Sequence, residues 1–477
     1  MHMSKFVGRH RELEELDRII SQHRAQFILA YGRRRVGKTT LLLHWAEKSG
    51  RPYIYWVANR DTPAQVRMGF TRALWRWAHP ESQAVPRFET WEDAFDTAAQ
   101  LIGDQPVILI LDEFSYATES DPSLASHMQA AWDHLFKDSN VTIVLAGSHI
   151  GMMVNLMGYQ APLYGRFTAK LPVDPLSFAT LGDFLPRYTA AERVAVYAMT
   201  GGVPAYLERF DDRRSLTENV RELFMQRTSI FRTEPFFLIG DVIRRETQTY
   251  EAVLKGIAVG NRTPQEIGNM LGVSSSYLSP YLKQLEELHL VKRRIPATTP
   301  SERRESTKTS QYHLIDPYLR FYFRFIAPNA ELVEQELSAV LWDRIADQFR
   351  AFVGMTAFED LCREWVLVKA RASKLSMVPE VVGSHWSADA QVDVVAVNWH
   401  DKAILLGECK WGVDAVRRSV IRELVEKAPK VVPGEGWQVL FAYFARAGFT
   451  DAAREEAQTL GALLVDLETL DNDMRYA

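Results

Sequence analysis

Three stretches of the chain are short and almost wholly apolar: QFILAY at 26–31, VILIL at 107–111 and VTIVLA at 141–146. Runs of this length without polar alternation predict strands buried on both faces, as in a parallel sheet covered by helices. Helical spacing at 10–22, 38–49 and 123–138 alternates with them, so residues 1–174 are expected to form a βα-repeating layer. Residues 175–245 keep helical spacing without strand alternation and are broken at Gly201-Gly202-Val203-Pro204, where proline ends or starts a helix. A helical lid is the simplest expectation there.

The pattern changes at 246–316. YEAVLKGIAVG, TPQEIGNMLGV and SSSYLSPYLKQLEELHLV predict three helices, and RRIPAT and QYHLID flank a polar loop as a hairpin would. Gly272 followed by the serines at 274–276 is the punctuation of a helix-turn-helix, so a winged helix is expected. Residues 317–350 read as connecting helices. From 351 to 477 an amphipathic helix precedes strands near 377–382, 390–398 and 403–409; a helix at 413–428, a strand at 437–444, a helix near 450–460 and a strand at 462–466 follow. Gly383-Ser384-His385-Trp386 reads as a loop, with no metal role for His385. The whole predicts an α/β multidomain chain with a second α/β domain at its C-terminal end.

Composition agrees with several domains, because 477 residues exceed what one hydrophobic core usually serves. The net charge of -4 gives no global attraction to nucleic acid, so any such contact must be local. Two cysteines, Cys362 and Cys409, exclude a disulfide framework and a cysteine-based zinc site, and read as two buried small apolar side chains in a reducing cytosol. No apolar run approaches the roughly 20 residues of a membrane span, and a cytoplasmic protein without membrane contact is expected.

The strand at 26–31 runs into Gly32-Arg33-Arg34-Arg35-Val36-Gly37-Lys38-Thr39, which opens the helix at 38–49 with Thr40 in its first turn. A triphosphate carries several charges that backbone NH groups of a glycine loop and a helix N-terminus can hold without crowding. Lys38 is then expected on the β- and γ-phosphates of ATP and the Thr39 hydroxyl on Mg²⁺. VILILDEF ends in two acids at the matching place: Asp112 for Mg²⁺ through water, Glu113 as the general base toward the attacking water. Ser148, closing VTIVLAGS, is either a γ-phosphate sensor or an ordinary loop serine. Arg166 in APLYGRF is either an arginine finger acting across a homo-oligomer or a salt-bridged surface arginine.

FVGRHREL, GRRRVGKTT, VILILDEF, LAGS, PLYGR and GGVPAYL together resemble the archaeal-type ATPase family within the STAND/AAA-like P-loop NTPases, over about residues 4–240. The resemblance implies a P-loop αβα sandwich with a helical lid, with Arg9 near the nucleotide. It also implies that Gly202-Val203-Pro204 couples the lid to the nucleotide. A following winged helix and a nuclease-like C-terminal domain are common in that family.

In the hairpin, VKRRIPATTPSERRESTKTS holds six Lys/Arg against two Glu, a local charge of 6 − 2 = +4, which suits phosphate contacts. The preceding helix carries Lys283 but also Glu286 and Glu287, so DNA contact and interdomain scaffolding both fit.

In the C-terminal domain QVDVVAV carries Asp393, and AILLGECKW carries Glu408 and Lys410 two residues apart, hence on one face of a strand. Two carboxylates on neighbouring strands can hold Mg²⁺ beside a phosphodiester, with the lysine orienting water or stabilising charge. Glu359, on the upstream helix, can add a carboxylate. This set resembles the PD-(D/E)XK nuclease superfamily, with Glu359, Asp393, Glu408 and Lys410 at its helix Glu, Asp and Glu-x-Lys positions. The expected function is an ATPase whose nucleotide state controls a DNA-binding, metal-dependent nuclease module in DNA processing or defence. The alternative is a regulatory NTPase that binds DNA or a protein partner without cutting.

Overall fold

The structure, a computed structural model, describes residues 6–240, 243, 246–307 and 309–475. The N-terminal end of the first domain, the last part of the lid segment and Lys308 of the hairpin therefore lie partly or wholly outside the described residues. Contacts divide the chain into two compact units. Residues 1–176 with 203–205 form one, and 177–202 with 206–477 form the other.

The first unit is built on five strands: β1 (Gln26–Tyr31), β2 (Tyr53–Val57), β3 (Ile108–Asp112), β4 (Thr142–Gly147) and β5 (Ala169–Pro172). All pairs are parallel, in the order β2-β3-β4-β1-β5. Alternate residues of the central strands enter two cores. Ile28, Ala30, Ile110 and Val144 pack toward helices His10–Ile20 and Lys38–Lys48, while Phe27, Leu29, Leu109 and Leu145 pack on the opposite face. Burial on both faces is why these strands read as continuous apolar runs. The edge strands are less uniform: β2 alternates half-buried and buried residues, and β5 is only four residues long. Helix 123–138 is instead Leu124–Ala131 followed by a π-helical turn, Trp132–Phe136.

In the second unit, helices Thr247–Ala258, Pro264–Leu271 and Ser275–Glu287 precede the antiparallel hairpin β6 (Val291–Arg294) and β7 (Gln311–Leu314). Val253, Leu254, Ile267, Leu282, Val291 and Leu314 share one core. The helix-turn-helix is punctuated locally. Thr263 and Glu266 form a capping box, Gly272 ends the second helix in the left-handed region, and Ser274 caps the third. The segment 177–240 is helical, with short 3₁₀ turns; its residues 177–202 and 206–240 belong to this unit, with contacts such as Arg193 Nη2 to Asp471 Oδ2 at 2.6 Å.

The C-terminal sheet has the order β12-β11-β10-β9-β8. Its strands are β8 (Val381–Trp386), β9 (Gln391–Asn398), β10 (Ala403–Lys410), β11 (Gln438–Ala445) and β12 (Leu463–Asp466). β8, β9 and β10 form an antiparallel meander, and β11 and β12 add in parallel after helices Arg418–Lys427 and Asp451–Thr459. Helix Glu359–Arg371 packs on this sheet, with the Trp365 and Phe444 rings 5.5 Å apart. The loop expected at 383–386 is a correction: those residues are part of β8. Their small and polar side chains hide the strand, but both its edges are bonded, to β9 on one side and through Ala297 N to Ser384 O at 2.9 Å on the other.

Candidate functional site

The glycine loop is shaped by one close backbone approach and one left-handed residue. A Cβ on Gly32 would lie 2.1 Å from the Val173 carbonyl oxygen, and Gly37 has φ +88, a left-handed conformation that glycine adopts without strain. Between them Arg33, Arg34 and Arg35 are half-buried, Arg35 itself with φ 68, and Val36 is fully buried. Helix Lys38–Lys48 then starts, so its first NH groups face the loop. Arg9 is buried beneath it. Its Nη2 donates to the Val36 carbonyl at 2.6 Å and its Nη1 to Glu12 Oε1 at 2.6 Å, so this arginine fixes the loop from behind.

Lys38 Nζ donates to Gly32 O at 3.0 Å, Arg33 O at 3.2 Å and Ser148 Oγ at 2.9 Å. Burial lowers its pKa to about 8, against the pull of Glu113 and Asp112 and with the push of Arg33 and Arg34. Ser148 Oγ in turn donates to Glu113 Oε1 at 2.8 Å, while its backbone NH reaches Oε2 at 3.3 Å. Ser148 thus joins Lys38 to Glu113. One step along β3, Thr39 Oγ1 donates to Asp112 Oδ2 at 2.6 Å, and Tyr55 from β2 reaches the same oxygen at 3.2 Å. Burial and Asp112 hold the Tyr55 hydroxyl protonated. A hydroxyl and a carboxylate so close offer hard oxygen donors at the mouth of the loop, the donor set that suits Mg²⁺. Thr40 is exposed, and Pro204 Cγ lies 3.9 Å from where a Gly37 Cβ would be.

Arg166 is occupied elsewhere. Nε and Nη2 grip Asp133 at 3.0 and 2.8 Å, and Nη1 donates to the Pro162 and Tyr164 carbonyls. Tyr55 and its strand β2, and β5 with the Val173 carbonyl just beyond it, were not expected from the sequence, although the aromatic and β-branched run YIYWV at 53–57 was a usable strand signal.

The second cluster lies on β9, β10 and the helix Glu359–Arg371. Extending the register of Gly407 with Val394 by one residue sets Asp393 opposite Glu408. Asp393 Oδ2 accepts from Cys409 N at 3.0 Å, and Lys410 Nζ holds Glu408 Oε1 at 2.7 Å, as the shared strand face requires. Lys427 lies 3.5 Å from the other Glu408 oxygen. Arg363, absent from the sequence reading although four residues from Glu359, donates to Asp393 O at 2.7 Å and lies 3.4 Å from Glu359 Oε2. Burial, then Glu408, raises the Asp393 pKa; burial, then Asp393, raises that of Glu359 to about 8. Lys410 is raised because Glu408 outweighs burial, so it keeps its charge. Among the described residues no three His, Cys, Asp or Glu side chains are grouped as a metal cluster. Asp393 and Glu408 are a carboxylate pair, and the charge of Asp393 is felt by Glu359.

Residues 6–210 match an ATPase domain predominantly from Archaea, and residues 322–421 match a family of archaeal and bacterial proteins of unknown function. The uncharacterized protein MJECL04 of Methanocaldococcus jannaschii is 30% identical over 466 residues, spanning 97% of this chain and 99% of its own length. The chain belongs to the family of that protein. In this MJECL04-like chain the N-terminal part is a P-loop ATPase domain of the archaeal type. The uncharacterized ATP-binding protein MJ0423 of the same organism is 50% identical over 42 residues, 9% of this chain and 71% of its own. A solved Walker-type ATPase of Pyrococcus abyssi, PABY2304, shares the fold at a TM-score of 0.50 and 19% identity, over 67% of this chain and 96% of its own. Among the described residues no helix is long and apolar enough to cross a membrane.

Proposed function

We propose that the chain is a Mg²⁺-dependent ATPase whose nucleotide state governs a C-terminal module that binds DNA and cuts it with metal assistance. The link from Lys38 through Ser148 to Glu113 carries the first half, because it ties the phosphate-binding lysine to the base at hydrogen-bond distance. In this reading Gly32 to Thr40 cradle the phosphates, and Glu113 takes a proton from the attacking water. Ser148 positions that base, Pro204 senses the loop, and Thr39 and Asp112 would hold Mg²⁺, which would supply neutralisation of phosphate charge.

The C-terminal half rests on Asp393 and Glu408 facing each other across β9 and β10, with Lys410 on the same face. The αβββαβ order from Glu359 to Ala445 supports a PD-(D/E)XK-like fold, and the three helices with β6 and β7 support a winged helix. The Asp393 carboxylate, whose proton affinity is raised by burial and then by Glu408, fits together with the buried Glu408 carboxylate a divalent cation, which would supply charge neutralisation at a phosphodiester. Asp393 and Glu408 would hold it, Lys410 would orient water, and Glu359 would add an outer contact. Metal-dependent cleavage of plasmid DNA by the wild-type chain and its loss in Asp393→Ala test this; undiminished cleavage by Asp393→Ala removes the nuclease assignment.

A second reading, a regulatory NTPase that binds without cutting, is favoured by the hairpin loop. Its Ala297 and Thr309 backbones bond to Ser384 and Trp386 of β8, and Thr298 pairs with His385, which engages the expected wing as a connector.

A further inference from the structure

Between the hairpin module and the C-terminal sheet, both within the second unit, lies a cavity of about 100 Å³. One water needs roughly 10–15 Å³, so the space admits a polyatomic group. Its wall is cationic: Arg262, Arg294, Arg320 and Arg324 line it, with His313 and His385. Asp360 answers part of that charge, at 3.1 Å from Arg294 and 3.7 Å from Arg320, but it is also claimed by Arg363 at 2.7 Å. Among the described residues Arg262 and Arg324 have no carboxylate within ion-pair distance.

Hydrogen bonding sharpens the picture. Four buried nitrogens on this one wall lack any partner: His313 Nε2, Arg320 Nε, Arg324 Nε and His385 Nε2. His385 is 9% exposed, and its Nδ1 sits 2.7 Å from the Thr298 hydroxyl, which can donate to it and leave Nε2–H as a donor. The guanidinium Nε–H groups of Arg320 and Arg324 and the Nε2–H of His385 are then buried donors without acceptors, which is costly, and an oxyanion with several lone pairs relieves them together. A cationic or apolar guest would not. Glu359 and Asp393 line the same cavity, so an anion seated there lies beside the carboxylate site.

We propose that this cavity binds a phosphate group and receives the terminal phosphate of a nucleic-acid strand. The guanidinium forks of Arg320 and Arg324 match a phosphate's oxygens. Bonds from residues 297, 298 and 309 to β8 fix the side formed by Ser384, His385 and Trp386, and a space of about 100 Å³ has the size of a phosphate group at a strand end, far below that of a duplex. The phosphate site stands on the cavity itself; the choice of a nucleic-acid end rests on the reading of the C-terminal module given above.

The test is equilibrium binding without divalent metal, in full-length chain carrying Lys38→Ala so that the glycine loop contributes little. Probes are inorganic phosphate and one single-stranded oligonucleotide prepared with a 5′-phosphate, a 3′-phosphate or hydroxyl ends. One phosphorylated form is expected to bind at least tenfold more tightly than the hydroxyl form, with inorganic phosphate competing that gain away. Arg324→Gln and Arg262→Gln should each abolish the gain, and Arg324→Lys should keep part of it. Circular dichroism and denaturant melts of the same variants, matched to the Lys38→Ala parent, report that the unit holding the cavity folds. Equal binding of all three oligonucleotides, or a gain that survives in both glutamine variants, overturns the strand-end proposal. Competition by phosphate without an end preference assigns the site to free phosphate and overturns it too. Because cleavage is not read, a chain that shows the preference yet never cuts keeps this inference and loses the nuclease reading.

Discussion

Ser148→Ala isolates the connection between phosphate binding and hydrolysis. The hydroxyl accepts from Lys38 Nζ at 2.9 Å and donates to Glu113 Oε1 at 2.8 Å, so alanine removes two charge-assisted bonds at once. Neither partner is stranded, because Lys38 keeps Gly32 O at 3.0 Å and Arg33 O at 3.2 Å, and Glu113 keeps the Ser148 NH at 3.3 Å. A bond to a charged group contributes about 1.5–3 kcal/mol net, and the retained contacts keep the combined loss within that range. If it is felt mainly in the transition state, turnover falls about 10- to 100-fold. Nucleotide affinity, set mainly by the loop backbone and Lys38, should change less than about threefold. Steady-state ATP hydrolysis beside equilibrium binding of a fluorescent ATP analogue reads both. Turnover within about twofold of wild type, or affinity falling as far as turnover, refutes the relay.

Other expectations test separate parts of the molecule. Between about 4.5 and about 8 the folded chain keeps a proton on Glu359 that the unfolded chain releases, so this group lowers stability as pH rises through that window. Glu359→Gln should therefore gain on wild type in denaturant melts as pH is raised from about 5 to about 8.5; parallel pH profiles would contradict the assigned burial. The Arg193–Asp471 pair is 2.6 Å apart with side chains 7% and 10% exposed, and Arg193→Ala should cost about 3 kcal/mol by chemical denaturation. A loss below about 1 kcal/mol would mean that Arg475, 3.2 Å from Asp471, suffices alone. For Arg166, its grip on Asp133 predicts coupling of about 1 kcal/mol in a double-mutant cycle. Mixing Arg166→Ala with Lys38→Ala subunits should restore no turnover, and recovery would reinstate an intersubunit finger.

The glycine loop and the acids ending β3 were legible because their chemistry is local: fixed spacing, one strand before, one helix after. The same holds for Glu408 and Lys410, since strand periodicity alone places them together. Long-range choices were hidden. Nothing near 177–202 reveals that Arg193 pairs with Asp471 almost three hundred residues away, or that residues 203–205 group with the first unit while their neighbours do not. β8 looked like a loop because Gly383 and Ser384 have little strand preference; its edge bonds come from Val397 to Gln391 and from Ala297. The hairpin loop's +4 charge suited phosphate contacts, whereas Ala297, Thr298 and Thr309 are spent on β8, and Arg294 turns to Asp360.

Nucleotide control of the C-terminal site is tested most directly by one cleavage assay on DNA with Mg²⁺ or Mn²⁺. Wild type is compared with ATP, with ADP and without nucleotide, alongside Lys38→Ala and Glu113→Gln. The account predicts a cleavage rate that changes with the nucleotide supplied, is fixed in one state by ATP in Glu113→Gln, and no longer responds in Lys38→Ala. Cleavage that is the same under all these conditions, or that is absent from wild type with every nucleotide and metal, contradicts it.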